Sequence, residues 1–537
     1  MKIEVLRTYF VGISQLSLRA LMSHQTYRST RSTTDQTLSF EDAVMTGLAS
    51  DGGLFVPSTI PVLKSLFITE WKDFSFQELA FNIMRHYVAE SEIPNDDLHS
   101  LIDKSYSSFR SSAVTPTVPL DEKRGLYLLE LFHGPTYAFK DVALQFVGNL
   151  FEYFLERRNK LIEDETKRTK ITVVGATSGD TGSAAIYGLR GKKDVSVFIL
   201  YPKGRVSPIQ EQQMTTVEDD NVHTLSVNGT FDDCQDIVKE LFGDEEFNLK
   251  YNIGAVNSIN WARILAQMTY YFYSYFQLVK RLEGQDNAIK PDIRFVVPSG
   301  NFGDILAGFY AKSMGLPVDK LIIATNENDI LDRFLKLGKY ERSGEVKATY
   351  SPAMDILISS NFERLLWFLI RERVANQNSC EAGAILSSWM KQLKSSGSFT
   401  AADAVVKLAR EHFGSARVTD AETLQTIRDT YDTHPSKYVL DPHSAIGVKA
   451  SYDFIKSDSS NGDGRLVKYI SLATAHPAKF ADVVDRALLS VEGYSFEKDV
   501  LPEELKVLAA KKKRVTHVDL AISQRVKEVI AAKLHVH

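Results

Sequence analysis

The sequence predicts an α/β protein: two series of βαβ units around mainly parallel sheets, preceded by a mostly helical N-terminal region. Three observations carry this reading. From about residue 125, short β-rich runs alternate with amphipathic helical stretches. A polar segment, 283–292, splits that alternation into two series. Residues 25–110 carry helix-start signals instead of strand runs.

The elements follow in order. In the N-terminal region, Ser39 with Asp42 caps one amphipathic segment, and the chain breaks at Gly52, Gly53 and Pro57. Ser75 with Glu78 forms a capping box for a helix running to about Ala89. The first βαβ series reads GLYLLELF, a helix near 140–157, ITVV, a helix near 181–189, VSVFILY, HTLSVNG and a long helix near 258–281. The tyrosine-rich stretch 270–279 is one face of a buried helix, because no apolar run approaches the ~18 residues of a membrane span. The second series reads RFVV, a helix near 303–314, KLIIATN, further helices, and YISLAT at 469–474. Segments 157–170 and 457–464 read as surface loops, and the basic run from Lys511 to Arg514 as the solvated face of a helical tail. The expected units are a leader or upstream extension (1–24), a helical N-terminal domain (25–124), a smaller α/β domain (125–285), a larger α/β domain (286–490) and a C-terminal helical tail (491–537).

Composition narrows the function class. The 537 residues are 44% hydrophobic and 24% charged, enough to bury a large core. A net charge of −5, from 63 basic and 68 acidic residues, argues against nucleic-acid or polybasic membrane-surface binding. Cys234 and Cys380 are the only cysteines, so a disulfide framework is excluded and a reducing compartment expected. No His, Cys or carboxylate cluster has metal-ligand spacing, so no metal site is expected. The first 21 residues carry Lys2, Arg7 and Arg19 and weakly resemble a transit peptide; a cytoplasmic protein with a start at Met22 is the expectation.

Ligands of open α/β sheets bind at the carboxyl ends of strands, so the turn after each strand matters most. In VVGATSGDTGSAA, the small hydroxyl-rich turn Thr177, Ser178, Gly179, Asp180, Thr181 and Gly182 opens a helix. It suits a carboxylate, or is simply a tight turn requiring small residues. In FVVPSGNFGDILAG, the residues Ser299, Gly300, Asn301, Phe302 and Gly303 lead into a helix. They have the form of a phosphate cradle, or of a plain connection. In ELFHGPTYAFKDVALQF, Lys140 follows Ala138 and Phe139 at the start of an apolar-patterned helix. An amine desolvated there has a depressed pKa and is free to form a Schiff base; the alternative is a surface charge.

Together the three turns are far more specific than any one. They resemble pyridoxal-phosphate enzymes of the tryptophan-synthase β-subunit fold type. Within that group the sequence is most similar to the threonine synthase family, in its long fungal form. YRSTRS, GLASDGGLFVP, HGPTYAFKDVALQ, GATSGDTGSAA, NSINWARILAQ, VPSGNFGDILAG, LDPHSAIG and ATAHPAKF carry the resemblance, which begins just after Met22 and spans nearly the whole remaining chain.

The resemblance implies two doubly wound domains clasping pyridoxal 5′-phosphate, with Lys140 as the Schiff-base residue. It assigns Gly300, Asn301, Phe302, Gly303 and Asp304 to the cofactor phosphate, and Thr474 to the pyridine nitrogen. It places Asp180 near the cofactor, where relatives outside this branch often have Asn. Thr177, Ser178 and Thr181 would receive the substrate carboxylate, and Asn257, Ser258 and Arg263 the substrate phosphate. His133, His443 and His476 flank these motifs and are read as hydrogen-bonded structural histidines, with acid–base work as the alternative. The implied reaction converts O-phospho-L-homoserine and water into L-threonine and phosphate, the last step of threonine biosynthesis, in a monomer with no nucleic-acid or membrane partner. Two alternatives stand beside it. One is a phospho-lyase of the same fold releasing a keto acid. The other is a non-catalytic binding module, disfavoured because Lys140, Asn301 and Thr474 are all present.

Overall fold

The computed structural model describes residues 25–534 except 255, 284–290, 343 and 462–464. The expected leader, 1–24, lies outside the described residues. In the N-terminal region β1 (Tyr27–Ser29) pairs antiparallel with β2 (Phe55–Pro57). The helix Phe40–Thr46 starts where Ser39 accepts from the Asp42 N–H. The helix Phe76–Met84 starts at the reciprocal Ser75–Glu78 capping box, and it stops short of Ala89.

Next come β3 (Thr117–Asp121) and β4 (Leu126–Glu130), then β5 (Ile171–Ala176), β6 (Val195–Pro202), β7 (Val222–Val227) and β8 (Ile253–Gly254). After the helix Trp261–Leu282 follow β9 (Asp292–Pro298), β10 (Lys320–Thr325), β11 (Lys339–Glu341), β12 (Ser398–Thr400), β13 (Phe413–Arg417), β14 (Val467–Ala473) and β15 (Thr516–Val518). The larger sheet has six strands in the order β13-β10-β9-β14-β4-β3, parallel except for the β3–β4 pair. The smaller has five parallel strands in the order β15-β7-β6-β5-β8. β11 and β12 form a separate antiparallel pair.

Four findings revise the sequence reading. The GLYLLELF strand, assigned to the 125–285 unit, is β4 and pairs with β14 in the larger sheet. Local pattern identifies a strand but not its partner, which long-range packing selects. The 491–537 tail is not wholly helical: β15 adds a parallel strand to the edge of β7, and the helix Ser523–Leu534 follows it. The basic run ending at Arg514 is extended, not helical, and Arg514 N–H donates to Thr215 O at 2.6 Å. The segment read as a loop from 457 is helical as far as Asn461.

Two packing features place the site. The helix Trp261–Leu282 is buried on all sides from Trp261 to Phe272, carrying the polar Arg263, Gln267 and Thr269 into the interior with it. The helices Lys140–Asn159 and Asp180–Leu189 touch backbone to backbone. A Cβ on Gly148 would stand 1.9 Å from Gly188 O, and one on Gly188 would stand 2.4 Å from Leu144 O. Only glycine at both positions allows that approach, which packs the end of the second helix against the first half of the Lys140 helix.

Among the described residues, no helix is long and apolar enough to cross a membrane.

Candidate active site

After β4 the chain turns through HGPTY into the helix Lys140–Asn159. The Asp141 carboxylate shapes this turn by accepting from Thr136 N–H and Oγ1, each at 2.7 Å. Phe139 N–H donates to Thr474 O at 2.8 Å, tying the turn to the end of β14. Lys140 is thus delivered to a helix start anchored on two sides. It is 9% exposed, and its Nζ lies 3.9 Å from Asp180 Oδ2. Burial lowers its amine to about 8; Asp180 opposes this shift, and the charges of Lys479 and Arg263 reinforce it.

Asp180 begins its own helix after β5. Its Oδ1 lies 2.8 Å from Lys479 Nζ and accepts from Gln210 Nε2 at 3.0 Å. Burial opposes its ionisation, but Lys479 and Lys140 together hold it well below the usual carboxylate range. In the same turn Thr177 Oγ1 accepts from the N–H groups of Gly179 (3.0 Å) and Gly182 (2.8 Å), so that hydroxyl shapes the loop. Ser178 and Thr181 are half-buried beside it.

The second turn is braced from behind. Ser359 Oγ donates to Gly300 O at 2.7 Å, and Asn361 donates to Asn301 O from both its backbone N–H (3.0 Å) and Nδ2 (3.1 Å). Phe302 takes a left-handed φ of 64°, uncommon without glycine, and its ring packs on Phe362 and Phe413. The helix Gly303–Ser313 then opens with N–H groups that have no intrahelical acceptor. Asp304 Oδ1 accepts from Tyr270 OH at 2.6 Å and Tyr271 OH at 3.0 Å. Burial pushes Asp304 up to about 6 despite those phenols, and its Oδ2 has no partner.

Asn361 Nδ2 also reaches Ser258 O at 3.1 Å, joining this turn to the start of the helix Trp261–Leu282. Arg263 is buried there. It makes one hydrogen bond, from NH1 to Val256 O at 3.2 Å, while Nε has none. Burial lowers its guanidinium to about 10. Asn257 is exposed, and its Oδ1 accepts from Ile259 N–H at 3.3 Å within its own turn. Thr474 is buried, with its backbone N–H donating to Ser444 Oγ at 3.1 Å.

The histidines have structural partners. His133 Nε2 pairs with Glu130 at 2.8 Å. His443 uses Nδ1 on Asp441 (2.9 Å), and Nε2 accepts from Ala353 N–H (3.2 Å). His476 Nδ1 accepts from Ala478 N–H at 3.2 Å, and burial lowers the ring to about 3, which keeps it neutral. Among the described residues, no group of three or more His, Cys, Asp or Glu side chains could hold a metal ion.

The fold therefore gathers Lys140, Asp180, Arg263 and Asp304 into one electrostatically coupled cluster. Sequence reasoning missed Lys479, Gln210, Tyr270, Tyr271 and Asn361. A signal for Lys479 was present: it stands between Ala478 and Phe480, the same apolar context that marks Lys140.

Known proteins resemble this chain along nearly its whole length. Three family descriptions match in series: "Threonine synthase N terminus" over residues 26–106, "Pyridoxal-phosphate dependent enzyme" over 110–471, and "Threonine synthase, C-terminal" over 444–530. The chain is 61% identical to threonine synthase of Saccharomyces cerevisiae over 95% of its own length and 98% of the relative's. It is 42% identical to threonine synthase of Pseudomonas aeruginosa, covering 84% of this chain and 88% of that one. The crystal structure of threonine synthase from yeast superposes with a TM-score of 0.91 at 60% identity, covering 96% of this chain and 99% of that one. Pyridoxal-phosphate-bound threonine synthase from Brucella melitensis superposes with a TM-score of 0.81 at 41% identity, covering 95% and 99%. With its buried lysine, glycine-rich helix start and matches along nearly its whole length, the chain belongs to the threonine synthase family of pyridoxal-phosphate-dependent enzymes.

Proposed function

We propose that this chain converts O-phospho-L-homoserine and water into L-threonine and phosphate, with pyridoxal phosphate held at Lys140. The observation that carries the reading is the convergence of a buried amine and a buried guanidinium on one site, the latter with Nε unpartnered. A desolvated cation in that state calls for an anion beside it.

The residues fit the cofactor. Lys140 supplies the amine, the 300–303 turn and its helix start supply N–H donors for a phosphate, and Thr474 supplies a neutral hydroxyl for the pyridine nitrogen. When bound, pyridoxal phosphate supplies an electron sink for charge on the substrate carbons near the amine. An amine near 8 serves both as nucleophile and as base at neutral pH. Lys140 would take and return protons at the substrate α, β and γ carbons. Arg263 holds the substrate phosphate by charge-assisted hydrogen bonds, with Asn257 and Ser258 on the adjoining turn. The helix start at 177–181 receives the substrate carboxylate, and Thr177 keeps that turn in shape. Asp180 remains a carboxylate throughout, facing Lys140.

Incubation with O-phosphohomoserine, quantifying threonine, keto acid and phosphate together, tests the assignment. Threonine equal to phosphate is the expected result. Keto acid equal to phosphate would replace it with the phospho-lyase reading. The reading extends to a monomer acting in the cytoplasm, supported by the free thiols of Cys234 and Cys380, which suit a reducing compartment. Light scattering and cell fractionation test those two points.

A further inference from the structure

Lys479 lies in the turn Pro477–Phe480, just past β14, and is 0% exposed. From the larger sheet's side it reaches the helix that follows β5 in the smaller sheet. Its Nζ donates to Thr136 O at 2.8 Å and Ser183 Oγ at 3.5 Å, and lies 2.8 Å from Asp180 Oδ1. An ammonium has three donors, so all three are engaged by the protein. Its backbone is held as well, because Ser207 Oγ donates to Lys479 O at 3.0 Å. Lys140 differs: its nearest charged partner is Asp180 Oδ2 at 3.9 Å.

We propose that Lys479 is a positioning residue: it clamps one oxygen of Asp180 so that the other faces the Lys140 amine, and thereby sets how readily that amine gives up its proton. A fully buried ammonium persists only with an anion beside it, so Lys479 and Asp180 keep each other charged. Gln210 Nε2 donates to the same Oδ1 but brings no charge. The same positive charge repels a proton on Lys140. The other charged groups facing Lys140 are Arg263, Asp141 and Asp304, and His443 also faces Asp180. None of these bridges the Lys140 turn and the Asp180 helix as Lys479 does, through Thr136 O and Ser183 Oγ.

The inference rests on Lys140 being the reactive amine, and its test separates the two claims. In cofactor-free protein, pH-dependent competitive acylation of Lys140, read by mass spectrometry of its peptide, reports the amine's protonation directly. Cofactor loading is followed separately by absorbance. In wild type the acylation midpoint lies near pH 8. In Lys479→Met it moves up by about one pH unit or more, so labelling at pH 7.5 falls about tenfold. Lys479→Arg keeps the charge and restores the midpoint. Folded Lys479→Met with an unmoved or lowered midpoint overturns the proposal. Should Lys479→Met not fold, Gln210→Leu decides: it removes only the neutral partner of Asp180. An unchanged midpoint there leaves the lysine as the clamp, and a shift of about one pH unit transfers the role to Gln210 and overturns the proposal. Loss of cofactor loading with an intact acylation shift would refute the assignment of Lys140 but not the clamp.

Discussion

Asp180 and Asp304 occupy matching places and ionise in opposite senses. Each stands in the first turn of a helix that follows a parallel strand, and each is nearly buried, at 6% and 7% exposure. Both enjoy the favourable field of a helix start, so that field does not separate them. Their partners do. Asp180 meets two lysines and is held as a carboxylate, whereas Asp304 meets two phenols and is pushed up to about 6. Local motif sets the address of a buried acid, and distant residues set its charge. At the Asp180 turn the charge is permanent and serves the lysine. At the Asp304 turn the carboxyl gives up its proton less readily and stands beside N–H groups available to an anion.

The strongest way to break this contrast is to remove the amine that Asp180 faces. Lys140→Ala should abolish the absorbance of the bound cofactor and lower turnover by about 10³-fold or more. Asp180 keeps Lys479, so the variant should still unfold cooperatively. Retained turnover would remove Lys140 from the chemistry. Next, Arg263→Ala should lower kcat/KM for the phosphorylated substrate by about 100-fold, the worth of a charge-assisted contact, with cofactor affinity changed far less. Equal losses in both measurements would place Arg263 against the cofactor instead.

A third measurement sharpens the Asp180 side by titration. The reactive form of Lys140 is the neutral amine, so cofactor loading of the empty protein should rise about tenfold per pH unit and level off above pH 8. A rate still climbing steeply at pH 10 would give Lys140 an ordinary amine.

The smallest effect tests Asp304. Its folded-state value, about 6, lies above that of an unfolded aspartate. The stability tied to its proton is therefore present at low pH and lost as pH rises through 6. Asp304→Asn, which never ionises, should be more stable than wild type by about 2–3 kcal/mol at pH 8, with little difference near pH 4. Denaturant unfolding of cofactor-free protein at both pH values checks this. An equal offset at the two would show that packing, not ionisation, distinguishes the variant.

Much of this site was legible in the sequence because its parts are local. A strand, a small-residue turn and a helix start are consecutive residues, so Lys140, the Asp180 turn and the 300–303 turn could each be found alone. What escaped depends on distance along the chain. Lys479 reaches Asp180 from beyond β14, and Tyr270 and Tyr271, read only as part of a buried face, turn out to bind Asp304. Asn361, which laces the Ser258 and Asn301 turns together, lies in neither motif. The strand partners escaped for the same reason: β4 carries the pattern of a buried strand but nothing that names β14 as its neighbour.

That pairing has a consequence for the order of assembly. β4 is made before every strand of the smaller sheet, and β14 after all of them except β15. A ribosome must therefore deliver the whole insert before the larger sheet can close around β4. Until residues 516–518 emerge, β7 also presents a bare edge, open to pairing with another nascent chain. Chains cut short before β15 should thus be prone to aggregation even though every residue at the site has already been made.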